Sequence, residues 1–379
     1  MSQPSNDAAA PLLLFEHATR SGHVLAEARL NSEPTLNALS LPMIEILGPA
    51  MSRWAADPAV VAVLLTGAGD RAFSAGGDIQ ALYRAIVKNH AAGRVADDYP
   101  FRFFEQEYRL DYQIHTFAKP VISLGHGVVM GGGLGIFSGA DYRIVTEKSR
   151  IALPEVTIGL FPDAGATWLL RNMPTHLATF LGVTGAHMNG ADALATGVAT
   201  HQIAAAQRPD VLAGLLALAW QGQTERDGAA IADCLEQLPR ASLPERQVDQ
   251  VPESLHPRGA ILEVAERVRA LAGRSPWIDA AIAAMDRGCP TSVGIVVEQL
   301  RRAPSLDLAD CFRLEMVVAT HCARHPDFAE GVRALIIDKD NQPRWRFASI
   351  EALPESYVAE HFEPPWSSNP LDNIEETTA

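Results

Sequence analysis

Apolar positions in the first half of the chain follow two spacings in turn. LLLFEHA and HVLAEARL read as paired strands, and LPMIEILGPAMSRWAAD carries its apolar residues at helical intervals. VVAVLLTG is almost continuously apolar and is closed by GAGD, which predicts a strand buried on both faces; VISLGHG repeats that character. Between them, YPFRFFEQEYRLDYQIHTF places Phe101, Phe104, Tyr108 and Ile114 along a helix. Strands alternating with helices predict an α/β unit. From about Arg208 the pattern turns almost wholly helical, in VLAGLLALAW, ILEVAERVRALAG, IDAAIAAMD and SVGIVVEQLRR. The expected organisation is a polar, flexible tail over residues 1–10, an α/β core over 11–205 and a helical region over 206–363. An acidic, Pro/Ser-rich tail over 364–379 is expected to be loose.

Composition narrows the function classes. Of 379 residues, 47% are hydrophobic and 20% charged, enough for a sizeable core in a globular protein. The formal net charge of -14 opposes broad attraction to nucleic acid or to anionic lipid, so an anionic ligand needs a local basic or backbone-amide site. Four cysteines, Cys234, Cys289, Cys311 and Cys322, show neither zinc-ligand spacing nor a disulfide framework, which fits a reducing compartment. No apolar run approaches the roughly 20 residues needed to span a bilayer. The start, MSQPSNDAAAPLLLF, lacks the basic region of a leader, and a cytoplasmic location is expected.

Candidate chemistry lies in three stretches: RAFSAGGDI, VVMGGGLGIFSGAD and ALPEVTIGLFPDAGAT. Glycine clusters let main-chain N–H groups approach a ligand unobstructed, and two such turns can each give one N–H to a developing oxyanion. Either turn alone reads as tight packing; neither has the spacing of a nucleotide loop. The third stretch keeps two acids, Glu155 and Asp163, among apolar residues. Asp163 precedes AGATWLLRN and by position could cap a helix. Glu155 could be a turn acid, although its apolar flanks favour a pocket, and Glu107 shares its helix with a routine Glu105/Arg109 pair. Asp78 could cap the helix that it opens. Ala72-Phe-Ser-Ala-Gly76 falls one residue short of a nucleophile elbow, but GAGDRAF separates Ser74 from the preceding strand. Ile158, Leu160, Phe161 and Trp168 are pocket-wall candidates whose individual role is more simply core packing.

In order, AFSAGGDI, KPVISLGHGVVMGGGLG, IALPEVTIGLFPDAGAT and TGAHMNGADALATGVATH resemble the crotonase (enoyl-CoA hydratase/isomerase) superfamily. SVGIVVEQLRRAPSLDLADCFRLE and HPDFAEGVRALIIDKDNQPRW extend the resemblance to its 3-hydroxyisobutyryl-CoA hydrolase branch, over nearly the whole chain. The resemblance implies an α/β, crotonase-like ββα spiral core with a helical C-terminal region. It also implies a thioester oxygen held by the backbone amides of Gly77 and Gly132. A hydratase usually carries a catalytic glutamate where this chain has Gly135; the second hydratase-type glutamate is matched by Glu155. FPDAG supplies Asp163 where hydratases usually have glycine, and Glu plus Asp is the hydrolase pattern. FFEQEY matches a hydrolase segment and makes Glu107 a substrate-pocket candidate. Lys339 is a candidate for a coenzyme A phosphate, with surface charge as its rival. Glu33 stands where many relatives have a basic residue. The expectation is hydrolysis of a short β-hydroxyacyl-CoA in valine breakdown, with hydratase/isomerase-type activity or non-catalytic acyl-CoA binding as alternatives. Coenzyme A enters only as part of the substrate, no metal is implied, and a homo-oligomer is possible.

Overall fold

The computed structural model describes residues 9–378. Its strands are β1 (Leu12–Ala18), β2 (Val24–Leu30), β3 (Val60–Gly67), β4 (Ala72–Ser74), β5 (Val121–Gly125), β6 (Val128–Met130), β7 (Tyr142–Val145), β8 (Arg150–Ala152) and β9 (His201–Gln202). They form a six-stranded sheet in the order β1-β2-β3-β5-β7-β9 and a three-stranded sheet in the order β4-β6-β8. β1 and β2 pair antiparallel, as the two leading apolar runs predict, with Leu12 opposite Leu30 and Ala18 opposite Val24. Every later pairing is parallel. Each pass of the chain lays one strand in the large sheet and the next in the small one: β3 then β4, β5 then β6, β7 then β8. This repetition produces the ββα spiral.

Parallel strands are covered on both faces, which is why VVAVLLTG is buried from Val60 through Leu65. The inner face packs against the helices Leu41–Ala56 and Tyr99–His115 in the main core. Ser40 opens the first of these by accepting from Met43 N–H, and Asp78 caps the helix Ile79–Ala92 by accepting from Ala81 N–H at 3.0 Å. The helical half is not a separate unit. Its helices Arg208–Ala217 and Thr224–Gln237 cover the outer face of the large sheet, setting Val211, Leu215, Ile231 and Leu235 against Leu25, Leu64, Ile122 and Ile144. The helices from Ile261 onward join the main core itself. The expected boundary near residue 206 therefore marks a change of pattern, not of core. Among the described residues no helix is long and apolar enough to cross a membrane.

The tail expected to be loose over 364–379 is packed through its described part. Leu371 and Ile374 are fully buried, and Trp366 meets Phe101 edge-on at 6.1 Å between ring centroids. Arg109 donates to Pro370 O at 2.7 Å, and Arg313 pairs with Glu375 at 2.8 Å. Three apolar anchors outweigh an acidic composition, with Arg313 meeting one of its charges and Arg109 holding its backbone. The expected N-terminal tail falls mainly on residues 1–8, outside the described residues.

Candidate active site

The small sheet assembles the site. β4, β6 and β8 run parallel and side by side, with Val128 opposite both Ala72 and Arg150. Their C-terminal ends therefore release Gly76-Gly77, Gly131-Gly132 and Glu155 at one edge. Gly76 (φ 112°) and Gly131 (φ 50°) hold backbone conformations that side chains disfavour, and a Cβ on Gly131 would stand 3.2 Å from Gly76 Cα. The two loops abut. Leu39 takes the groups flanking Gly77, donating to Gly76 O at 2.7 Å and accepting from Asp78 N–H at 2.9 Å. Among the described residues no hydrogen bond takes up the N–H of Gly77 or of Gly132.

Carboxylates crowd the same place. The position of a Cβ on Gly132 lies 2.0 Å from Glu107 Oε1 and 3.6 Å from Gly77 N; that on Gly131 lies 3.6 Å from Glu155 Oε1. Glu155 sits in the 3-10 helix Pro154–Ile158, is 3% exposed, and has no hydrogen-bond partner for Oε2. Gly159 (φ 74°) ends that turn against the backbone of Asp327. Asp163 accepts from Tyr108 O–H at 2.7 Å. It does not cap with its side chain: Gly165 is the N-cap of the helix Ala166–Arg171, and only the Asp163 carbonyl accepts, from Ala166 N–H.

The helical half holds the Asp163 loop in place. Gln299 donates to Pro162 O and to Thr167 Oγ1, both at 2.7 Å, and Glu315 accepts from the N–H groups of Gly165 and Thr167, both at 2.8 Å. These two residues escaped the sequence reading, although Phe312, Glu315, Met316 and Ala319 put one acid on an apolar helix face. Asp111 was missed too. It follows Glu107 by one helical turn, and neither of its buried oxygens has a partner. A Cβ on Gly135 would stand 3.1 Å from Asp111 Oδ2, 2.6 Å from Ala164 O and 2.8 Å from Ala164 Cβ. Ala164 (φ 55°) and Asp111 thus fill the space where the hydratase pattern sets a glutamate.

Burial dominates the electrostatics. It raises Glu155 well above the ordinary carboxyl range, and the neighbouring charge of Asp163 raises it further; Glu107 and Asp111 are raised for the same first cause, with other acids of the cluster adding to it. Burial lifts Glu315 to about 8 against the lowering effect of its hydrogen bonds to Thr167 and Gly165. Asp163 reaches only about 6, because the Tyr108 hydroxyl and a backbone N–H favour its charged form. Asp163 is therefore the member set to ionise near neutral pH, and the others mainly hold protons. For Asp111 the folded carboxyl keeps its proton to higher pH than the unfolded one, so its contribution to stability is complete at low pH and is lost as pH rises through the folded value. Asp111→Asn is expected to match the wild type in stability near about pH 3, below the unfolded carboxyl's value of about 3.9, and to exceed it by about 1–3 kcal/mol near about pH 9. Thermal unfolding across that range checks the widening gap.

Glu155, Asp163, Gly77, Gly132 and Glu107 are thus brought together; Lys339 is not tied to them. It is exposed at φ 57° between Asp338 and Asp340, which both pair with Arg333. Glu33 lies beside Gly69, and Arg71 donates to its carbonyl at 2.6 Å, so a cation stands next to the position where a basic residue was expected. Ser74 is fully buried under Gly133 and accepts from Gly76 N–H at 3.4 Å, and among the described residues no base hydrogen-bonds to it, unlike an elbow serine. Leu160 and Phe161 lie in the main core, while Ile158 is only partly buried. Trp168 lies under Arg171, whose guanidinium is 4.7 Å from the ring. A cavity of about 870 Å³ opens between the helices Ile79–Ala92 and Leu308–Arg324, but none of the residues lining it is an acid or glycine of the cluster.

The enoyl-CoA hydratase/isomerase family pattern matches residues 25–362. The chain belongs to that family. Its enzymes act on acyl-CoA thioesters, and so does this one, at the level of hydrolase or hydratase chemistry. The chain is 33% identical over 342 residues to the mitochondrial 3-hydroxyisobutyryl-CoA hydrolase of Gallus gallus, covering 88% of this chain and 85% of that one. It is 34% identical to 3-hydroxyisobutyryl-CoA hydrolase 1 of Arabidopsis thaliana, covering 88% of each. Among solved structures it superposes on an enoyl-CoA hydratase from Rhodobacter sphaeroides 2.4.1 with a TM-score of 0.77 at 33% identity, covering 93% and 97% of the two chains. A carnitinyl-CoA dehydratase from Mycobacterium thermoresistibile gives 0.80 at 28% identity, covering 94% and 97%. These family members share the spiral core and the helical C-terminal region. The cytoplasmic expectation is corrected here: hydrolase relatives from Gallus gallus and Homo sapiens are mitochondrial by name. A thiol count and a non-basic start do not discriminate between reducing compartments.

Proposed function

We propose that the protein hydrolyses a short β-hydroxyacyl-CoA, with 3-hydroxyisobutyryl-CoA as the preferred ester. The observation that carries this reading is the meeting of two free N–H groups, on Gly77 and Gly132, with Glu155 at the ends of three adjacent strands, and with Asp163, held by Tyr108, near enough for its charge to act on Glu155. The filled space at Gly135 favours hydrolysis over hydration, and the names of the chicken and Arabidopsis relatives favour this substrate.

In this mechanism the thioester oxygen accepts from Gly77 and Gly132 N–H, where negative charge develops as the carbonyl carbon becomes tetrahedral. Glu155 drives the attack in the microstate where it carries the charge and the proton rests on Asp163. The C–S bond breaks, Asp163 returns its proton to the departing thiolate, and one water is consumed to give the free acid and coenzyme A. Glu107 lies against the same N–H pair and lines the acyl side. Tyr108 keeps Asp163 aimed inward.

Thiol release measured across a panel of acyl-CoAs, with hydration of crotonyl-CoA followed in parallel, tests the reading. Rapid release from 3-hydroxyisobutyryl-CoA with no hydration is expected; hydration without release overturns it. The acid pair also sets a pH dependence. kcat/KM is expected to rise with pH through about 6, as the pair loses its first proton from Asp163, and Asp163→Asn is expected to abolish that limb. A limb that persists unmoved in Asp163→Asn excludes the role given to this residue.

A further inference from the structure

Three histidines and a glutamate meet where the helix Glu355–Glu360 folds back on the helix Leu308–Arg324. His321, in its last turn, and His325, just beyond it, are four residues apart on one face. Glu360 ends the helix Glu355–Glu360 opposite them. One ligand atom from each of His321, His325 and Glu360 lies within 4.8 Å of the other two, and His325 Nε2 is 3.7 Å from Glu360 Oε1.

Hydrogen bonds already orient the rings. His321 Nε2–H donates to Glu363 O at 2.8 Å, and His325 Nδ1 bonds the Tyr357 hydroxyl at 2.9 Å. His361, buried with its ring 4.6 Å from that of His325, donates Nδ1–H to Tyr357 O at 2.9 Å. A carbonyl can only accept, so in their neutral forms His321 keeps a lone pair on Nδ1 and His361 keeps one on Nε2. Histidines that bind a metal are held in this way, with one nitrogen on an oxygen and the other turned to the ion. Ring stacking alone explains neither the oxygen partners nor the carboxylate that closes the group.

We infer that His321, His325 and Glu360 bind one divalent transition-metal ion of the zinc class, pinning the turn at residues 355–363 to the helix that carries Glu315. Imidazole and carboxylate donors suit such an ion. Bonds of about 2.0–2.2 Å bring tetrahedral ligand atoms to about 3.3–3.6 Å from one another, so the present spacings must close by at most roughly an ångström. The fourth position falls to water. His321 follows Glu315 by six residues, about 9 Å along the helix axis, so the ion would brace the support of the Asp163 loop without touching substrate.

The test is calorimetric titration of the metal-stripped full-length protein with Zn²⁺, with Co²⁺ as a visible-absorption probe of tetrahedral geometry. One saturable equivalent is expected, together with a rise in Tm, because the ligands come from two segments. His325→Ala and Glu360→Gln are each expected to weaken binding at least about tenfold. Glu360, half exposed, can be changed without disturbing the fold. Tyr357→Phe removes only the hydroxyl on His325 and is expected to cost about tenfold in affinity. Absence of saturable binding, or binding that survives either ligand substitution at unchanged affinity, overturns the site.

Discussion

Replacing Glu155 by Gln is expected to cut thiol release from 3-hydroxyisobutyryl-CoA by about 10²- to 10⁴-fold, while affinity for the ester changes only a few-fold. The amide keeps the size of the side chain but can neither attack nor take up a proton. Burial is unchanged, and removal of a carboxyl that burial and Asp163 already disfavour as an anion relieves repulsion. The variant is therefore expected to fold and to bind. Turnover and binding are read separately, by thiol release and by equilibrium titration with a non-hydrolysable thioether analogue. Retention of more than about a tenth of the wild-type rate would remove Glu155 from the chemistry.

Gly132→Ala is the second large effect. Its Cβ would stand 2.0 Å from Glu107 Oε1, the far end of a side chain that can swing aside, and 3.6 Å from Gly77 N, in the space meant for the thioester oxygen. The fold is expected to survive at a cost of about 1–3 kcal/mol. The rate is expected to fall by about 10²- to 10³-fold, the usual consequence of losing one oxyanion donor. Adding Glu107→Ala relieves the crowding without clearing the oxygen's place, so the double variant is expected to regain Tm but not kcat. Recovery of kcat in the double variant would show that Gly132 matters only as room for Glu107.

The strands and helices with strong periodicity were legible in the sequence: the paired opening strands, VVAVLLTG, and the helix with Phe101, Phe104 and Tyr108 along it. The small sheet was not. Its strands have three residues each, and AFS, VVM and RIA carry no period that a window can register. Its glycine ends were found by composition and resemblance instead. Glu155 and Asp163 were visible as acids among apolar residues, whereas Asp111 and Glu315 sat unremarked because each is one of several charged residues along an ordinary amphipathic helix. Their burial depends on contacts between elements far apart in the chain, such as Glu315 with Gly165. The tail misled because its mean composition is acidic, while its order rests on Trp366, Leu371 and Ile374 individually.

The backbone kink at Ala164 bears on how such enzymes can diverge. With φ at 55°, its carbonyl and methyl occupy the volume that any side chain at position 135 would claim. An acid at 135 and the present path through Asp163 are mutually exclusive tenants of one space. Placing an acid at 135 therefore demands a different course for the chain through Asp163 and Ala164 at the same time, since neither can be accommodated while the other stays.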